Sequence, residues 1–194
     1  MTGRRIVLIA LCFGVLTGCS LFKRPDNQFY LLETISSESL PVSLTGPPVA
    51  IGGLELPPTL DRRGVVIRGE DHKLEVRGTH QWAAPLETMV LHTLAFNLAD
   101  RLPEGMMVLP GQAKPAGPTR SIFIVLEELA PGPEPQFVLD GRWTVSGEGT
   151  YPELTRHERI TIELGSMESP EIASAMSRAL AALAERIAEQ LGER

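Results

Sequence analysis

The sequence has 194 residues, with 24 acidic and 18 basic side chains and a formal net charge of −6 at pH 7. That length suits one domain with a hydrophobic core of its own. The acidic balance argues against a nucleic-acid partner and against docking of a basic patch on anionic lipid.

The first residues follow the pattern of a secretory signal. Arg4 and Arg5 precede an apolar run at residues 6–16, which is too short to cross a membrane because a spanning helix needs about 20 residues. Small residues and Cys19 come next, and the tetrapeptide LTGC that ends at this cysteine resembles the bacterial lipobox. We therefore predict a lipoprotein signal peptide over residues 1–18 and a diacylglyceryl group on Cys19.

The predicted lipid on Cys19 determines the expected membrane attachment and location of the protein. Two or more acyl chains convert marginal membrane association into stable anchoring. Ser20 follows the cysteine, and by the sorting rules of enteric-type bacteria a serine there sends a lipoprotein to the outer membrane, facing the periplasm. Cys12 is lost with the signal, so no disulfide is expected. An ordinary secretory signal with a chance cysteine is the alternative interpretation.

The mature chain divides into a short tether and one domain. Residues 19–28 are mostly polar and form the lipidated tether, and residues 29–194 form the domain. Four short β-rich runs open this domain, at residues 29–33, 49–57, 64–69 and 73–78. Gly52 and Gly53 predict a bulge or a close backbone approach within the second run. The last two runs flank residues 70–72 and predict a hairpin.

Two amphipathic helices are predicted from apolar residues that recur every three to four positions. The first has Pro85 in its first turn and ends before Pro103. Its stripe is Leu86, Val90, Leu94, Leu98 and Leu102, and its outer face carries Glu87, Asn97, Asp100 and Arg101. The second begins at Ser169, which can cap it, with Pro170 in the first turn. Its stripe is Ile172, Met176, Leu180, Leu183, Ile187 and Leu191.

Four more β-like runs lie between the helices, at residues 106–110, 120–129, 137–147 and 158–164. Both alternating faces of the second run are apolar, with Ile122, Ile124 and Leu126 on one face and Phe123 and Val125 on the other. This strand is predicted to be buried on both sides, by the helices and by another layer or a second copy of the chain. The order of elements predicts an α+β fold: a mixed, mainly antiparallel sheet with two helices packed on one face.

No motif for catalysis or metal binding emerges from the sequence. The four histidines are His72, His80, His92 and His157, and none has a zinc-type spacing to a cysteine or carboxylate. The glycine-rich stretches do not match phosphate-binding loops, and no Gly-x-Ser-x-Gly nucleophile elbow occurs. We expect a protein that is not an enzyme, with no catalytic residue, no metal and no cofactor other than the covalent lipid on Cys19.

Two short motifs carry a family resemblance. The first, between two predicted strands, comprises Leu56, Pro57, Leu60, Asp61 and Arg62. The second, which opens the first helix, comprises Trp82, Ala83, Pro85 and Leu86. Together with the lipobox and the FYLL segment at residues 29–32 soon after it, they resemble the ABC-type transport auxiliary lipoproteins of the PqiC-like kind. Two positions depart from the family pattern: Ala84 stands where glutamate is frequent, and Arg63-Gly64 replaces a common Pro-Gln.

The resemblance implies a non-enzymatic accessory subunit of an MCE-type ABC lipid transport system. Such systems carry phospholipid or other hydrophobic molecules between the inner and outer membranes, and they contribute to envelope integrity. The implied partner is an MCE-domain membrane protein. Because MCE proteins form rings, a homo-oligomer is a further expectation, and it would bury Phe123 and Val125.

The candidate contact residues have structural alternatives. Trp82 is either an anchor for a partner or a side chain that closes the core, and the second is the more frequent case. Asp61 and Arg62 form either a docking site or a local salt bridge or turn. Two other functions remain open: a periplasmic lipid-binding chaperone lipoprotein that works alone, and an envelope hydrolase that uses His80, His92 and His157.

Overall fold

The computed structural model describes residues 26–113, 115–147 and 153–193. The predicted lipobox, Cys19, Ser20 and most of the tether lie outside the described residues. In chain order the elements are β1 (Gln28–Tyr30), β2 (Val49–Glu55), a 3-10 turn (Pro58–Leu60), β3 (Gly64–Arg68), β4 (Leu74–Trp82), α1 (Leu86–Arg101), β5 (Met107–Val108), β6 (Arg120–Pro131), β7 (Gln136–Ser146), β8 (Leu154–Glu163) and α2 (Ser169–Gly192). Every predicted helix and strand is present, with ends that differ by a few residues.

Five strands form the larger sheet, in the order β5–β2–β6–β7–β8. β6, β7 and β8 pair as antiparallel neighbours, whereas β2 runs parallel to both β5 and β6. Parallel strands need a crossover connection, and here β3, β4 and α1 occupy it. The predicted bulge is confirmed, because the pairing of β2 with β6 shifts register between Ile51 and Gly53.

The remaining strands form a separate three-stranded sheet in the order β1–β4–β3, where we expected one sheet in all. The chain leaves β2 through Pro57 and Pro58, which lack the N–H that a sheet ladder needs. β3 and β4 then pair as the predicted hairpin, whose turn places Asp71 and His72 at positive φ, 54° and 60°. The α+β class with mixed, mainly antiparallel pairing is confirmed.

The two helices pack against each other and against one face of the larger sheet. Both predicted apolar stripes are buried, and no member is more than 5% exposed. The helix starts differ slightly from the prediction. Pro85 is the N-cap residue of α1, and Ser169 lies inside α2. There its Oγ accepts a hydrogen bond from Arg77 Nη1 at 3.1 Å instead of capping the helix.

The prediction of an exposed outer face on α1 is wrong for Asn97 and Arg101, which are buried. Residues 31–48, here called the strap, lie outside both sheets and run alongside α1. Asn97 Oδ1 accepts a hydrogen bond from the backbone nitrogen of Ile35 at 2.9 Å, and Arg101 Nη1 donates to the carbonyl oxygen of Ile35 at 3.2 Å. The two side chains therefore satisfy the backbone of the strap instead of facing solvent.

Candidate functional site

The two sequence motifs meet in one groove. A cavity of about 770 Å³ lies between the 3-10 turn that follows β2 and the junction of β4 with α1. Every residue of the two motifs lines it, and Phe29 of β1 adds an exposed aromatic side chain. We call this cavity the motif groove. Its volume lies in the range of small-ligand and peptide-binding clefts, about 300–1,000 Å³.

Backbone hydrogen bonds fix the walls of the motif groove. The nitrogen of Leu60 donates to the oxygen of Pro57 at 2.9 Å, which closes the 3-10 turn. The nitrogen of Trp82 donates to the oxygen of Arg63 at 2.8 Å and joins the two motifs directly. Two prolines in a row pre-set the backbone before this turn, so the first wall has little conformational freedom.

β1 forms the third side of the motif groove by pairing with β4 in parallel. The nitrogen of Ala83 donates to the oxygen of Tyr30 at 2.9 Å. The hydroxyl of Tyr30 lies 2.7 Å from Nδ1 of His80, and the two rings stack with a centroid separation of 5.8 Å. His80 is therefore a structural partner of Tyr30 at this edge, a role that its sequence context did not indicate.

Charged side chains surround the mouth of the motif groove. Asp61, Arg62, Arg63 and Glu87 all line it and are exposed. The local turn expected at Asp61 and Arg62 is present, because the nitrogen of Asp61 donates to the oxygen of Pro58 at 3.2 Å. Among the described residues, the Asp61 carboxylate and the Arg62 guanidinium do not form an ion pair with each other. Two cations and two carboxylates thus face solvent around a largely apolar cleft.

Trp82 occupies the position expected of a core residue. It is 5% exposed and belongs to the main hydrophobic cluster, while one part of it forms a wall of the motif groove. Its location fits the alternative in which the tryptophan closes the core. A molecule in the groove would touch Trp82 only along that wall.

The outer face of the larger sheet is a second apolar surface. Phe123 and Val125 point away from the helices and are exposed, so the prediction that β6 is buried on both sides is wrong within one chain. The helices cover the opposite face, and the described part of the chain supplies no layer over these two side chains. A Cβ added to Gly52 would lie 3.1 Å from Cζ of Phe123, so the ring rests on the glycine pair of β2. We call this surface the outer sheet face.

A charged cluster borders the outer sheet face. Glu127, Asp140 and His157 each place one donor atom within 4.8 Å of the others, close enough to share a cation. The carboxylates already have positive partners, however. His157 Nε2 lies 2.6 Å from Asp140 Oδ1, Arg159 pairs with the other Asp140 oxygen, and Arg142 pairs with Glu127. A cation would have to displace these partners, so we interpret the cluster as an ion-pair network.

Asp140 is the centre of this network. Burial raises the pKa of its carboxyl, but hydrogen bonds and positive charge from Arg159 and His157 outweigh burial and lower the pKa below its usual value. The cluster has no local sequence signal, because its members lie on different strands. Only the antiparallel register of β7 and β8, which pairs Asp140 with Arg159, brings them together.

The structure thus divides the predicted contact residues between two surfaces. Trp82, Asp61 and Arg62 come together in the motif groove, and Phe123 and Val125 lie on the outer sheet face. Cys19 and Ser20 are outside the described residues. Phe29 is a groove residue that the sequence analysis did not single out. Its place in the FYLL segment, soon after the lipobox, was the available signal.

A family model described as the ABC-type transport auxiliary lipoprotein component matches residues 30–188. The chain belongs to this family. The match spans both walls of the motif groove, all of α1 and most of α2, so the groove and the outer sheet face are parts of the auxiliary lipoprotein domain itself. Among curated proteins, none gives a significant match to the sequence.

Two crystal structures have the same fold as this auxiliary lipoprotein. One, of an uncharacterized protein, aligns with a TM-score of 0.68 and 18% identity over 85% of this chain and 98% of its own. The other, of protein XCC0632 from Xanthomonas campestris, aligns with a TM-score of 0.62 and 12% identity over 84% of this chain and 96% of its own.

Among the described residues, neither helix is both long and apolar enough to span a bilayer.

Proposed function

We propose that this auxiliary lipoprotein is a non-enzymatic accessory subunit of an MCE-type ABC lipid transport system. Lipid on Cys19 anchors it in the outer membrane, Ser20 allows it to be sorted there, and the domain faces the periplasm. There it connects an MCE-domain membrane protein to the outer membrane and supports envelope integrity. The observation that carries the proposal is the family match over residues 30–188, in a chain whose residues 16–19 resemble a lipobox.

The motif groove is the part of the surface best suited to the transport partner. It is open and mostly apolar inside, with Asp61 and Arg62 exposed at its mouth. An apolar centre with a charged rim is the usual anatomy of a protein interface. In this proposal a segment of the MCE partner lies in the groove, and the two exposed charges set its orientation.

The test is affinity purification of the full-length acylated protein from its own envelope, followed by native mass spectrometry. We expect an MCE-domain protein in the eluate and a smaller yield of it with Arg62→Glu. Arg178→Glu is the matched control, because Arg178 is an exposed arginine on α2, far from the groove in sequence. Recovery without any MCE partner, together with an intact envelope barrier after gene deletion, would refute the proposal.

The outer sheet face supports the expectation of a homo-oligomer. Phe123 and Val125 form an apolar centre, and paired polar residues such as Thr144 and Arg142 lie beside them on β7. In the proposal, a second copy of the chain covers this face. Phe123→Asp should then shift the native mass from oligomer to monomer, whereas Phe96→Asp, a change at an equally exposed phenylalanine on α1, should leave it unchanged.

The volume of the motif groove supports one alternative, a lipid-binding chaperone that works alone. A cavity of about 770 Å³ can hold part of a lipid molecule. This alternative predicts phospholipid bound to the monomeric protein without its own acyl chains, again by native mass spectrometry. An empty monomer would eliminate the chaperone and leave the accessory-subunit proposal intact.

A further inference from the structure

Four large apolar side chains remain exposed along the amino-terminal segment and α1, on a different surface from the outer sheet face. They are Phe29, Leu31, Leu40 and Phe96, and they are 44% to 92% exposed. We call them the apolar ridge. Folding leaves this much apolar area in water only where another phase or molecule covers it, or where it is scattered.

The members of the ridge are neighbours and not scattered. Phe29 is the middle residue of β1 and Leu31 directly follows that strand, so the two exposed side chains lie close together along the chain. Leu31 shares a shallow cavity with Thr88 and His92 of α1. The ring of His92 in turn lies 6.5 Å from the ring of Phe96, measured between centroids. The ridge therefore continues from β1 onto the outward side of α1.

The strap extends the ridge to Leu40. Asp100 Oδ2 accepts a hydrogen bond from the backbone nitrogen of Ser37 at 2.6 Å. The nitrogen of Val42 donates to the oxygen of Arg101 at 3.0 Å. Leu40 lies between these two attachment points, so it is held beside the carboxyl end of α1. Its side chain is 92% exposed there.

The position of the ridge relative to Cys19 indicates what covers it. Asp26 is the first described residue, seven positions after Cys19. Seven residues span at most about 25 Å even when fully extended. The bilayer surface that holds the acyl chains is therefore always close to the start of the domain, where the ridge begins. Phe29 and Leu31 follow Asp26 within five residues.

We infer that the apolar ridge rests on the bilayer that holds the lipid on Cys19, with α1 lying along the membrane surface. The inference depends on the proposed lipidation and extends it. The lipid anchor alone limits the distance between the domain and the membrane, but it does not determine the orientation of the domain. Aromatic and aliphatic side chains next to an anchor supply a second attachment, and two attachments together give stable peripheral binding. The domain would then present its outer sheet face away from the membrane.

The charges beside the ridge predict which lipid it prefers. Glu33 and Asp100 are exposed near Leu31 and Leu40, whereas Glu87 near Phe29 is balanced by Arg62 and Arg63 of the same groove, so the excess charge beside the ridge is negative. Acidic side chains are repelled by the negative surface potential of anionic lipid. We therefore expect the ridge to contact zwitterionic phospholipid and to be repelled as the anionic fraction rises.

The sequence makes a clean labelling experiment possible. The chain has only two cysteines, of which Cys12 leaves with the signal and Cys19 carries its lipid as a thioether. A cysteine introduced into the acylated protein is then its only free thiol. Phe96→Cys and Phe123→Cys form a matched pair, because the two phenylalanines are 44% and 45% exposed on different surfaces.

Each variant is labelled with the environment-sensitive fluorophore NBD and reconstituted in phosphatidylcholine vesicles that contain spin-labelled phosphatidylcholine. We expect several-fold stronger quenching by the spin-labelled lipid for the label at position 96 than at position 123, where a second copy of the chain would shift the emission but would not quench it. Leu31→Cys provides a second ridge position if Phe96→Cys folds poorly. Replacing part of the phosphatidylcholine by phosphatidylglycerol should reduce the quenching at both ridge positions.

Three outcomes would overturn the inference. Equal quenching at positions 96 and 123 would mean nonspecific adsorption. A blue shift at position 96 without lipid quenching would mean that protein, such as a second copy, covers the ridge. A mass that lacks the acyl chains would refute the proposed anchor, and the inference would fall with it. Ridge quenching without any MCE partner in the purification, together with an intact envelope barrier after gene deletion, would instead refute the proposed function and leave the inference standing.

Discussion

Neighbouring residues of β6 lie in opposite environments, although they are equally apolar. Ile122 and Ile124 are at most 1% exposed, whereas Phe123 and Val125 are more than 40% exposed. The helices of the same chain cover the first pair, and among the described residues no other element covers the second. An apolar pattern thus identifies a surface that is stabilised by leaving water, but it does not identify the molecule that covers it.

The largest expected effect tests this difference directly. Ile124→Ala should lower the free energy of unfolding by about 2–5 kcal/mol, because it removes packed atoms and leaves a cavity. Val125→Ala should lower it by less than about 1 kcal/mol, because Val125 is exposed. Urea unfolding of dilute, monomeric protein measures both values. Similar losses for the two variants would mean that the outer sheet face is already packed within one chain.

The glycine pair under Phe123 gives a sharper test of the outer sheet face. A Cβ at Gly52 would lie 3.1 Å from the Phe123 ring and 3.2 Å from Cβ of Ser121, so Gly52→Ala should cost about 1 kcal/mol in the wild-type background. The loss should be smaller in a Phe123→Ala background, and a double-mutant cycle measures the coupling. Gly78→Ala is the matched control, because a Cβ there would meet no atom within 4 Å. Equal losses in both backgrounds would place the strain elsewhere.

The ion-pair network beside the outer sheet face should make stability depend on pH. The folded pKa of Asp140 lies below its unfolded value. Its stabilising contribution is therefore complete above the unfolded pKa of about 4 and is lost as pH falls through the folded pKa. Asp140→Asn should be less stable than the wild type at neutral pH, and the difference should shrink in acid. Urea midpoints measured across this range, with Asp61→Asn as control, test this. A constant difference would contradict it.

The smallest expected effect on stability is at the rim of the motif groove. Arg62 is exposed, so Arg62→Ala should change the free energy of unfolding by less than about 0.5 kcal/mol. If the rim serves a partner, the same substitution should still lower recovery of the MCE protein. A thermal melt and a pull-down of the same preparation separate the two effects. A large loss of stability would assign Arg62 to the fold.

The sequence predicted those elements whose signal is local. The stripe of α2 was predicted correctly because it repeats every three to four residues over 24 residues. The bulge at Gly52–Gly53 and the hairpin between β3 and β4 were also visible as short, local patterns. In each case the residues that carry the signal are also the residues that make the contact.

The features that were missed depend on contacts between distant parts of the chain. Asn97 was expected on the surface because its partner, the backbone of Ile35, is 62 residues away. The strap has no periodic sequence pattern that predicts this contact. The two motifs were recognised separately, but their proximity follows from how β3 and β4 pair, which brings Arg63 to Trp82. The division into two sheets likewise depends on pairings that no single segment encodes.

The strap has a mechanical consequence. Its hydrogen bonds to helix side chains, at Glu33, Ile35 and Ser37, follow one another along the chain. Tension applied at the amino-terminal end would break these hydrogen bonds one after another and not all at once. Release of β1 and the strap, residues 26–48, would give a segment that spans at most roughly 75 Å when fully extended, while both helices stay on the larger sheet. The strap then supplies extra chain length between the predicted lipid anchor and the folded domain.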